Sequence, residues 1–332
     1  MKRSYLILLL QLLYCVAFAQ QRPQYTQYVF NNYLINPAIS GIEAYIDLKA
    51  SHRNQWTGLN GTPVTNYISV HAPIGKRFID EHRNNYASQS HRSYAKSYQA
   101  AQSHHGIGMH AVFDKAGLIS RSDINISYAF HLGLSDKVNI SAGVAAGISQ
   151  LSLDVAGVTL EDTYDPAISM SAGEQMKPDL GLGVWLYGPQ YFVGLSAQQL
   201  LGQTLTFSES DTYSQGKLLP HYFFTAGYKF FLGPDIATVP SVLIKRVSSA
   251  PYTCDANLKL TFRDKFWLGG SYRNGDAFSA LAGFNVSYLF NLGYSYDFTT
   301  SHLSTVSSGT HELILGLLLN NRNKFTCPQR YW

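Results

Sequence analysis

Five polar residues of this chain could build a binding site, because each lies in or beside a segment whose alternate positions are apolar. Arginine and carboxylate side chains pair strongly with each other, and the same groups bind charged or amide groups of a second molecule. The five lie far apart in the sequence, so only neighbouring strands of a sheet could bring them together. They are Arg53, Gln55, Arg273, Asp297 and Glu312.

Catalytic chemistry is not predicted by this sequence. A hydrolase or an acyltransferase needs a nucleophile with an aligned base. The chain has 11 His and many serines, but no Gly-x-Ser-x-Gly elbow or other local signature of such an enzyme stands out. We therefore expect no enzymatic activity and no cofactor.

Metal binding is only weakly indicated. Four histidines lie in or beside the polar stretch 75–105, without a fixed ligand spacing and without cysteine partners. Cys254 and Cys327 are the two cysteines outside the N-terminal apolar stretch, and they form neither a disulfide framework nor a metal site. We expect no metal. The four histidines are His82, His91, His104 and His105.

The segments that must position the five polar groups alternate between apolar and small or polar residues, and they recur from Ala44 to Asn320. Side chains of a strand alternate between its two faces. In Leu289–Phe298 one face therefore holds only large apolar or aromatic residues, and the other holds Gly, Ser, Asn and Asp. That combination is typical of a barrel whose apolar face contacts lipid. The apolar face consists of Phe290, Leu292, Tyr294, Tyr296 and Phe298, and the polar face of Asn291, Gly293, Ser295 and Asp297.

The composition agrees with a membrane barrel. Charged residues make up 14% of the chain and aromatic residues another 14%, whereas soluble domains carry about 25% charged residues. The mean hydropathy of -0.08 conceals this, because lipid-facing and lumen-facing residues average out along each strand. A formal net charge of +4 is small for this length and does not indicate a nucleic-acid partner.

The N-terminus has the pattern of a cleaved export signal over residues 1–19. Lys2 and Arg3 precede the apolar stretch 6–18, and Ala17-Phe18-Ala19 is a cleavage site before Gln20. No other run reaches the eighteen or so apolar residues of a spanning helix. If the exported chain enters a membrane, it must do so as a closed barrel, since an open sheet leaves backbone groups unpaired in lipid.

The sequence predicts an all-β transmembrane antiparallel barrel of about fourteen strands over residues 44–320, with a periplasmic tail at 321–332. An even strand number is the rule for bacterial single-chain barrels. Connections after even-numbered strands are mostly tight and several after odd-numbered ones are long, which places both chain ends in the periplasm. The predicted strands are 44–56, 64–73, 106–114, 120–133, 137–149, 179–187, 190–199, 220–231, 237–247, 253–262, 265–273, 276–287, 289–299 and 311–320.

Two segments do not fit the simple barrel pattern. Residues 20–43 mix aromatic and amide side chains and end near the turn-forming pair Asn36-Pro37. They form either a plug inside the lumen, which is wide in a fourteen-stranded barrel, or an ordered periplasmic lead that caps the base. The polar stretch 75–105 is either a weakly ordered periplasmic insertion or a docking segment for a periplasmic partner.

Alternation places Arg53, Arg273, Asp297 and Glu312 inside the barrel, near the outer mouth, where the last strand meets the first. Gln55 is expected to point inward beside them. One interpretation is structural, because charged residues in a lumen are normally paired and stiffen the wall. The other is functional, with the cluster as the floor of a binding mouth or as an anchor for the plug. Four outward aromatic residues are predicted to form an interfacial girdle: Trp56, Tyr272, Tyr296 and Phe298.

Several motifs together closely resemble the PorP/SprF family of the type IX secretion and gliding machinery. The resemblance covers essentially the whole chain after the export signal. The stretch 75–105 departs from the short turn usual in the family. The motifs are QYTQYVFNNYLINPAISG at 24–41, SHRNQWTGLNGTPVTNYISVHAPI at 51–74, PHYFFTAGYKF at 220–230, SYRNGDAFSALAGFNVSY at 271–288, YSYDFTTSHL at 294–303, SGTHELILGLLL at 308–319 and the closing CPQRYW at 327–332.

This resemblance implies an outer-membrane protein that works with the type IX translocon. Such a protein would receive exported cargo, adhesin-like proteins with C-terminal sorting domains, and anchor it at the cell surface. It would also contact the periplasmic ring and other secretion or gliding components. The alternative function is an outer-membrane channel or transporter for a small or hydrophobic solute, since fourteen strands leave a lumen.

Overall fold

The computed structural model describes residues 26–75, 78–79, 91–154, 174–205, 216–248, 251–263 and 265–321. The predicted export signal at 1–19 and Cys327 lie outside these residues, as do 322–332 of the predicted tail. Among the described residues, no helix is both long enough and apolar enough to cross a membrane.

Fourteen antiparallel strands form one closed sheet. β1 pairs with β14, with Ile46 opposite Leu319, and so closes the barrel. Because every strand has a neighbour on both sides, the sheet has no free edge, as lipid requires. The strands are β1 Ile46–Asn54, β2 Val64–Ile74, β3 His104–Ala116, β4 Ile119–Ser135, β5 Val138–Leu153, β6 Glu174–Tyr187, β7 Tyr191–Gln198, β8 His221–Tyr228 (continued by Phe230–Phe231), β9 Ile236–Val247, β10 Thr253–Phe262, β11 Phe266–Arg273, β12 Ala277–Phe284, β13 Phe290–Thr299 and β14 Thr310–Leu319.

The predicted fold and strand number are confirmed, whereas strand ends differ from the prediction by up to five residues, including the end of β5 at Leu153 rather than 149. β6 begins at Glu174 rather than 179, because its first residues pair with the long β5, where Glu174 lies opposite Ser152. β12 ends at Phe284 rather than 287. Its end is set by a turn in which the Ser287 hydroxyl accepts hydrogen bonds from the backbone N–H groups of Leu289 and Phe290, both at 3.1 Å.

The alternation of side chains between lipid and lumen is present as predicted. On β13, Phe298 is 55% exposed on the outside, whereas Ser295 on the inside is fully buried. On β14, Leu313 is exposed and Glu312 is fully buried. The barrel therefore buries its polar face and exposes its apolar face, the reverse of a soluble protein.

The two ends of the barrel differ in their connections. At one end lie the tight turns 136–137, 188–190, 232–235 and 263–265. At the other end β5 ends at Leu153 and β6 begins only at Glu174, and a two-stranded ribbon of Gln203–Leu205 with Gly216–Leu218 lies between β7 and β8 in the sequence. Short turns face the periplasm in outer-membrane barrels. We call the end with the long connections the outer mouth and the opposite end the base.

The lumen contains residues 26–45, which we call the plug. Three short 3-10 turns, Thr26–Val29, Asn32–Leu34 and Pro37–Ile39, carry the chain from the outer mouth down to the base, where β1 begins. The last turn starts with Pro37 and is capped by the Asn36 side chain, which accepts the Ala38 N–H at 3.0 Å. The described residues of this segment pack against inward-facing side chains of the wall, such as Trp185, Phe223 and Ile314.

The described part of the stretch 75–105 packs against the base. It includes the short helix α1 (His91–Ser97). The Phe78 ring stacks on His104 with centroids 3.6 Å apart, and the buried Tyr98 belongs to the same apolar cluster as Ile39 and Ile42 of the plug. These described residues are ordered by packing, whereas docking of a periplasmic partner remains a prediction.

Candidate functional site

Arg53, on β1, is the centre of a buried ion cluster at the outer mouth. Its Nη2 lies 2.8 Å from Asp297 Oδ2 on β13, and its Nη1 lies 2.9 Å from Glu312 Oε2 on β14. Arg53 and Glu312 face each other in the register of β1 and β14. The cluster therefore ties together three adjacent strands on either side of the seam that closes the barrel.

Thr26 of the plug completes this cluster. Its backbone N–H donates to Glu312 Oε2 at 2.9 Å, and its hydroxyl donates to Asp297 Oδ2 at 2.7 Å. The same hydroxyl oxygen accepts from Arg53 Nη1 at 2.9 Å. The cluster thus holds the outer end of the plug as well as the wall. We call Arg53, Asp297, Glu312 and Thr26 the mouth cluster.

Arg273 does not join the mouth cluster. Its guanidinium binds Asp255 on β10 through Nε and Nη2, with distances of 3.1 Å to Oδ1 and 3.1 Å to Oδ2, and its Nη1 lies 3.2 Å from Asp276. Sequence reasoning missed Asp255. The tight turn at 263–265 could have revealed it, because a hairpin centred on that turn puts Asp255 opposite Arg273, as the register shows.

Gln55 and Trp56 lie beyond the end of β1, where alternation no longer determines direction. Gln55 is half-buried, and its backbone N–H donates to the Pro63 carbonyl at 2.9 Å. No hydrogen bond among the described residues joins its side chain to the mouth cluster. Trp56 has a left-handed backbone (φ 49) and donates its N–H to Thr310 Oγ1 at 3.1 Å. The strand ends at Asn54, so extending its alternation to these two residues was not justified.

The other three predicted girdle residues point outward near the outer ends of their strands. Tyr272 packs on Phe278 and Tyr296 packs on Phe298, each with ring centroids 4.6 Å apart. The Tyr296 hydroxyl donates to the Ser308 carbonyl at 2.7 Å. This is the arrangement expected of an aromatic belt with its polar tips toward water, and the girdle role remains a prediction.

A stack of rings and cations holds Phe30 of the plug against the barrel wall. Phe30 of the plug lies on Trp267 of β11 with centroids 5.9 Å apart. Lys49 lies 5.4 Å over the Phe30 ring and Lys259 lies 5.8 Å over the Trp267 ring. Cations at such distances from aromatic faces are attracted to the ring quadrupole. Neither Phe30 nor the two lysines were identified from the sequence as functional.

Hydrogen bonds hold the middle of the plug to the opposite wall. Asn36 Nδ2 donates to the carbonyls of Val184 and Leu195 at 3.1 and 3.2 Å. The Tyr33 hydroxyl lies 2.6 Å from Ser127 Oγ, which is also 2.8 Å from Ser40 Oγ. Burial raises the pKa of Tyr33 to about 12, so its hydroxyl keeps its proton near neutral pH.

Two inward-facing glycines make room for the plug. A Cβ on Gly183 of β6 would lie 2.0 Å from Asn36 Oδ1, and one on Gly143 of β5 would lie 2.6 Å from Ala38 Cα. Real Cβ atoms do not approach other atoms so closely, so the wall and the plug fit only because these positions lack side chains. Glycines on the lumen side of adjacent strands were a sequence signal for the plug.

Two stacked imidazoles join the plug to the base. His104 of β3 and His131 of β4 lie with ring centroids 4.5 Å apart. His131 Nε2 donates to the Ser40 carbonyl at 2.8 Å, and His104 Nε2 lies 3.2 Å from the Gly41 carbonyl. Within the described ranges, no group of three or more His, Cys, Asp or Glu is arranged to hold a metal ion.

The chain matches the family described as type IX secretion system membrane protein PorP/SprF over residues 17–317. No curated protein matches it significantly. Similar solved structures include the Acinetobacter baumannii outer membrane protein Omp33, with 9% identity over 84% of this chain and 100% of that one at a TM-score of 0.47. The CymD monoaromatic hydrocarbon channel has 11% identity over 88% of this chain and 91% of that one, at a TM-score of 0.44. The translocator domain of the autotransporter NalP from Neisseria meningitidis has 10% identity over 82% of this chain and 87% of that one, at a TM-score of 0.35.

The family match spans nearly the whole closed barrel, including β1 to β13, most of β14 and the plug. The chain therefore belongs to the PorP/SprF family of type IX secretion system membrane proteins, and it is an outer-membrane β-barrel.

Proposed function

We propose that this protein receives exported cargo of the type IX secretion system and anchors it at the cell surface. The cargo would be adhesin-like proteins with C-terminal sorting domains, and the barrel would act without catalysis. The protein would reach the outer membrane by a cleaved export signal. It would contact the translocon, the periplasmic ring and, where present, gliding components. Membership of the PorP/SprF family is the observation that carries this proposal.

The occupied lumen supports an anchor over a diffusion channel. A channel needs a continuous water path, and conduction also needs sites from which a solute readily leaves. Here the plug is bonded at the outer mouth through Thr26, in the middle through Asn36 and near the base through Ser40. A lumen filled in this way suits a protein that holds a partner at its mouth better than one that passes small solutes.

The outer mouth is the cargo surface that we propose. Two outer connections are joined there, since Thr57 N–H donates to the Gly309 carbonyl at 2.8 Å and Ser308 N–H donates to the Thr57 carbonyl at 2.7 Å. The mouth cluster lies beneath them as a rigid floor. Arg273, with its two carboxylate partners, would supply charge on the adjacent wall, and Gln55 would contribute an amide at the rim.

Deleting the gene tests this proposal. We expect surface display of one or a few large exported proteins to stop, while uptake of small solutes stays normal. Detergent extraction of the outer membrane followed by pull-down and mass identification would name the cargo. Normal display of all exported proteins in the deletion strain would contradict the proposal. A large steady current from the purified barrel in a planar bilayer would instead favour the channel alternative.

A further inference from the structure

A groove at the base lies between the stretch 96–103 and the hairpin that joins β4 to β5. It is a depression of about 820 Å³ that is open to solvent over much of its extent. Pockets that bind organic ligands have volumes of about 300–1,000 Å³. The groove lies at the opposite end of the barrel from the mouth cluster, and none of its lining residues takes part in the proposed cargo site.

The groove is held in place from both sides. The Ala100 N–H donates to the Asp136 carbonyl at 2.7 Å. Gly133 lies so close to the stretch that a Cβ there would be 3.1 Å from the Ala101 carbonyl oxygen. Tyr98, 2% exposed, is hydrogen-bonded through its hydroxyl to Asn139 Nδ2. These contacts show that the groove is preformed.

The groove borders the lipid-facing surface at the end of β4. Leu132 and Leu134 lie on the outer face of β4, 42% and 55% exposed. They are the last outward apolar residues of β4 before the tight turn at 136–137. Tight turns face the periplasm in outer-membrane barrels, so we expect the groove to open near the headgroups of the periplasmic leaflet.

The polar walls of the groove are cationic. Lys96 and Lys137 both line it and both are exposed. Asp136 is the one carboxylate among its lining residues. Ser97, Gln99, Gln102 and Ser103 add hydroxyl and amide groups around the same space. Two ammonium groups lining one groove, together with hydroxyl and amide donors, are suited to a phosphate group.

We propose that this groove binds a phospholipid of the periplasmic leaflet. The phosphate would lie between Lys96 and Lys137, and an acyl chain would run along Leu132 and Leu134. The three features that carry this proposal are the volume of the groove, its two lysines and the exposed leucines at its border. Basic pockets at headgroup level bind lipid phosphates in the same way. The bound lipid would hold the stretch 96–103 against the membrane surface.

Native mass spectrometry of the purified full-length barrel tests this site. Phosphatidylethanolamine or phosphatidylglycerol is titrated into detergent, and the first lipid adduct is measured for the wild type and for K96Q/K137Q. Each lysine near a headgroup contributes on the order of 1 kcal/mol to the free energy of lipid binding. The double variant should therefore bind the lipid about 30-fold more weakly than the wild type. The matched control K115Q/K265Q removes two exposed lysines outside the groove and should bind like the wild type. SDS gel mobility before and after heating confirms that each barrel is folded.

Two further arms separate a lipid from a free anion. L132S/L134S should also lose the lipid adduct, because it removes the apolar wall. Glycerol phosphate or inorganic phosphate at equal concentration should not displace the lipid. Equal lipid binding by K96Q/K137Q and the wild type would overturn the proposal, and so would an equal loss in K115Q/K265Q. Displacement by inorganic phosphate, or undiminished binding in L132S/L134S, would assign the groove to a small anion and not to a lipid.

Discussion

Arg53→Met should strongly destabilise the barrel. It removes the only guanidinium in the mouth cluster and leaves Asp297 and Glu312 buried with no cation bonded to them within that cluster. The side chains of all three residues are at most 4% exposed, so water cannot replace the lost partner. Removing one partner of a buried ion pair costs about 3–5 kcal/mol in free energy of unfolding. The hydroxyl of Thr26 also loses a donor, which weakens the outer end of the plug.

The measurement is urea unfolding in detergent micelles, followed by the mobility of folded and unfolded barrel on SDS gels. Arg263→Met is the matched control, because Arg263 forms a 3.4 Å pair with Asp235 in which both side chains are about half exposed. Such surface pairs contribute about 0–1 kcal/mol. We expect the urea concentration at the unfolding midpoint to be clearly lower for Arg53→Met than for the wild type, and almost unchanged for the control.

A rescue variant separates lost charge balance from lost packing. Combining Arg53→Met with Asp297→Asn and Glu312→Gln removes all three charges, and replacing a complete buried ion group is often nearly neutral. The triple variant should therefore regain most of the stability that the single variant loses, a non-additive result expected of contacting residues. Equal midpoints for Arg53→Met and Arg263→Met, or no recovery in the triple variant, would refute this account of the mouth cluster.

Three further predictions concern the plug and the proposed cargo site. Gly183→Val should force the plug away from the wall and raise the conductance of the barrel in planar bilayers. Gly270→Val, at a position with open space around it, should leave the conductance as low as that of the wild type. Equal currents for the two variants would contradict the packing argument. Arg273→Ala should abolish the retention of cargo at the cell surface. If cargo is still retained while the heat stability of the barrel falls, the ion pair of Arg273 with Asp255 has a structural role only. Between pH 10 and 12 the free energy of unfolding of the wild type should fall by about 2 kcal/mol relative to that of Tyr33→Phe, because the folded state keeps a proton that the unfolded tyrosine releases. Parallel pH curves for the two proteins would exclude this role.

Much of the barrel could be predicted because its information is local. Alternation within each strand assigns every side chain to lipid or lumen, and for this reason Glu312 and Asp297 were correctly placed inside. Tight turns also fix the register of the hairpins they join, which could have identified Asp255 as the partner of Arg273. Alternation and turn register apply only within strands. Because β1 ends at Asn54, neither could predict the directions of the Gln55 and Trp56 side chains.

The plug and the base required the tertiary structure. Residues 26–45 have no periodicity that assigns them to one side, and their burial depends on glycine-sized gaps in strands more than a hundred residues away. Tyr98 is polar in its sequence context, yet it packs beside Ile39 and Ile42 because the stretch 96–103 returns to the base.

By itself, the sequence determined a lipid-embedded barrel with a charged lumen, since a period of two in hydrophobicity is decided residue by residue. Whether that lumen is open or filled, and which carboxylate meets which arginine, was decided only by the closed sheet. The physical reason is that closure brings residues near the two ends of the chain, such as Arg53 and Glu312, within hydrogen-bonding distance.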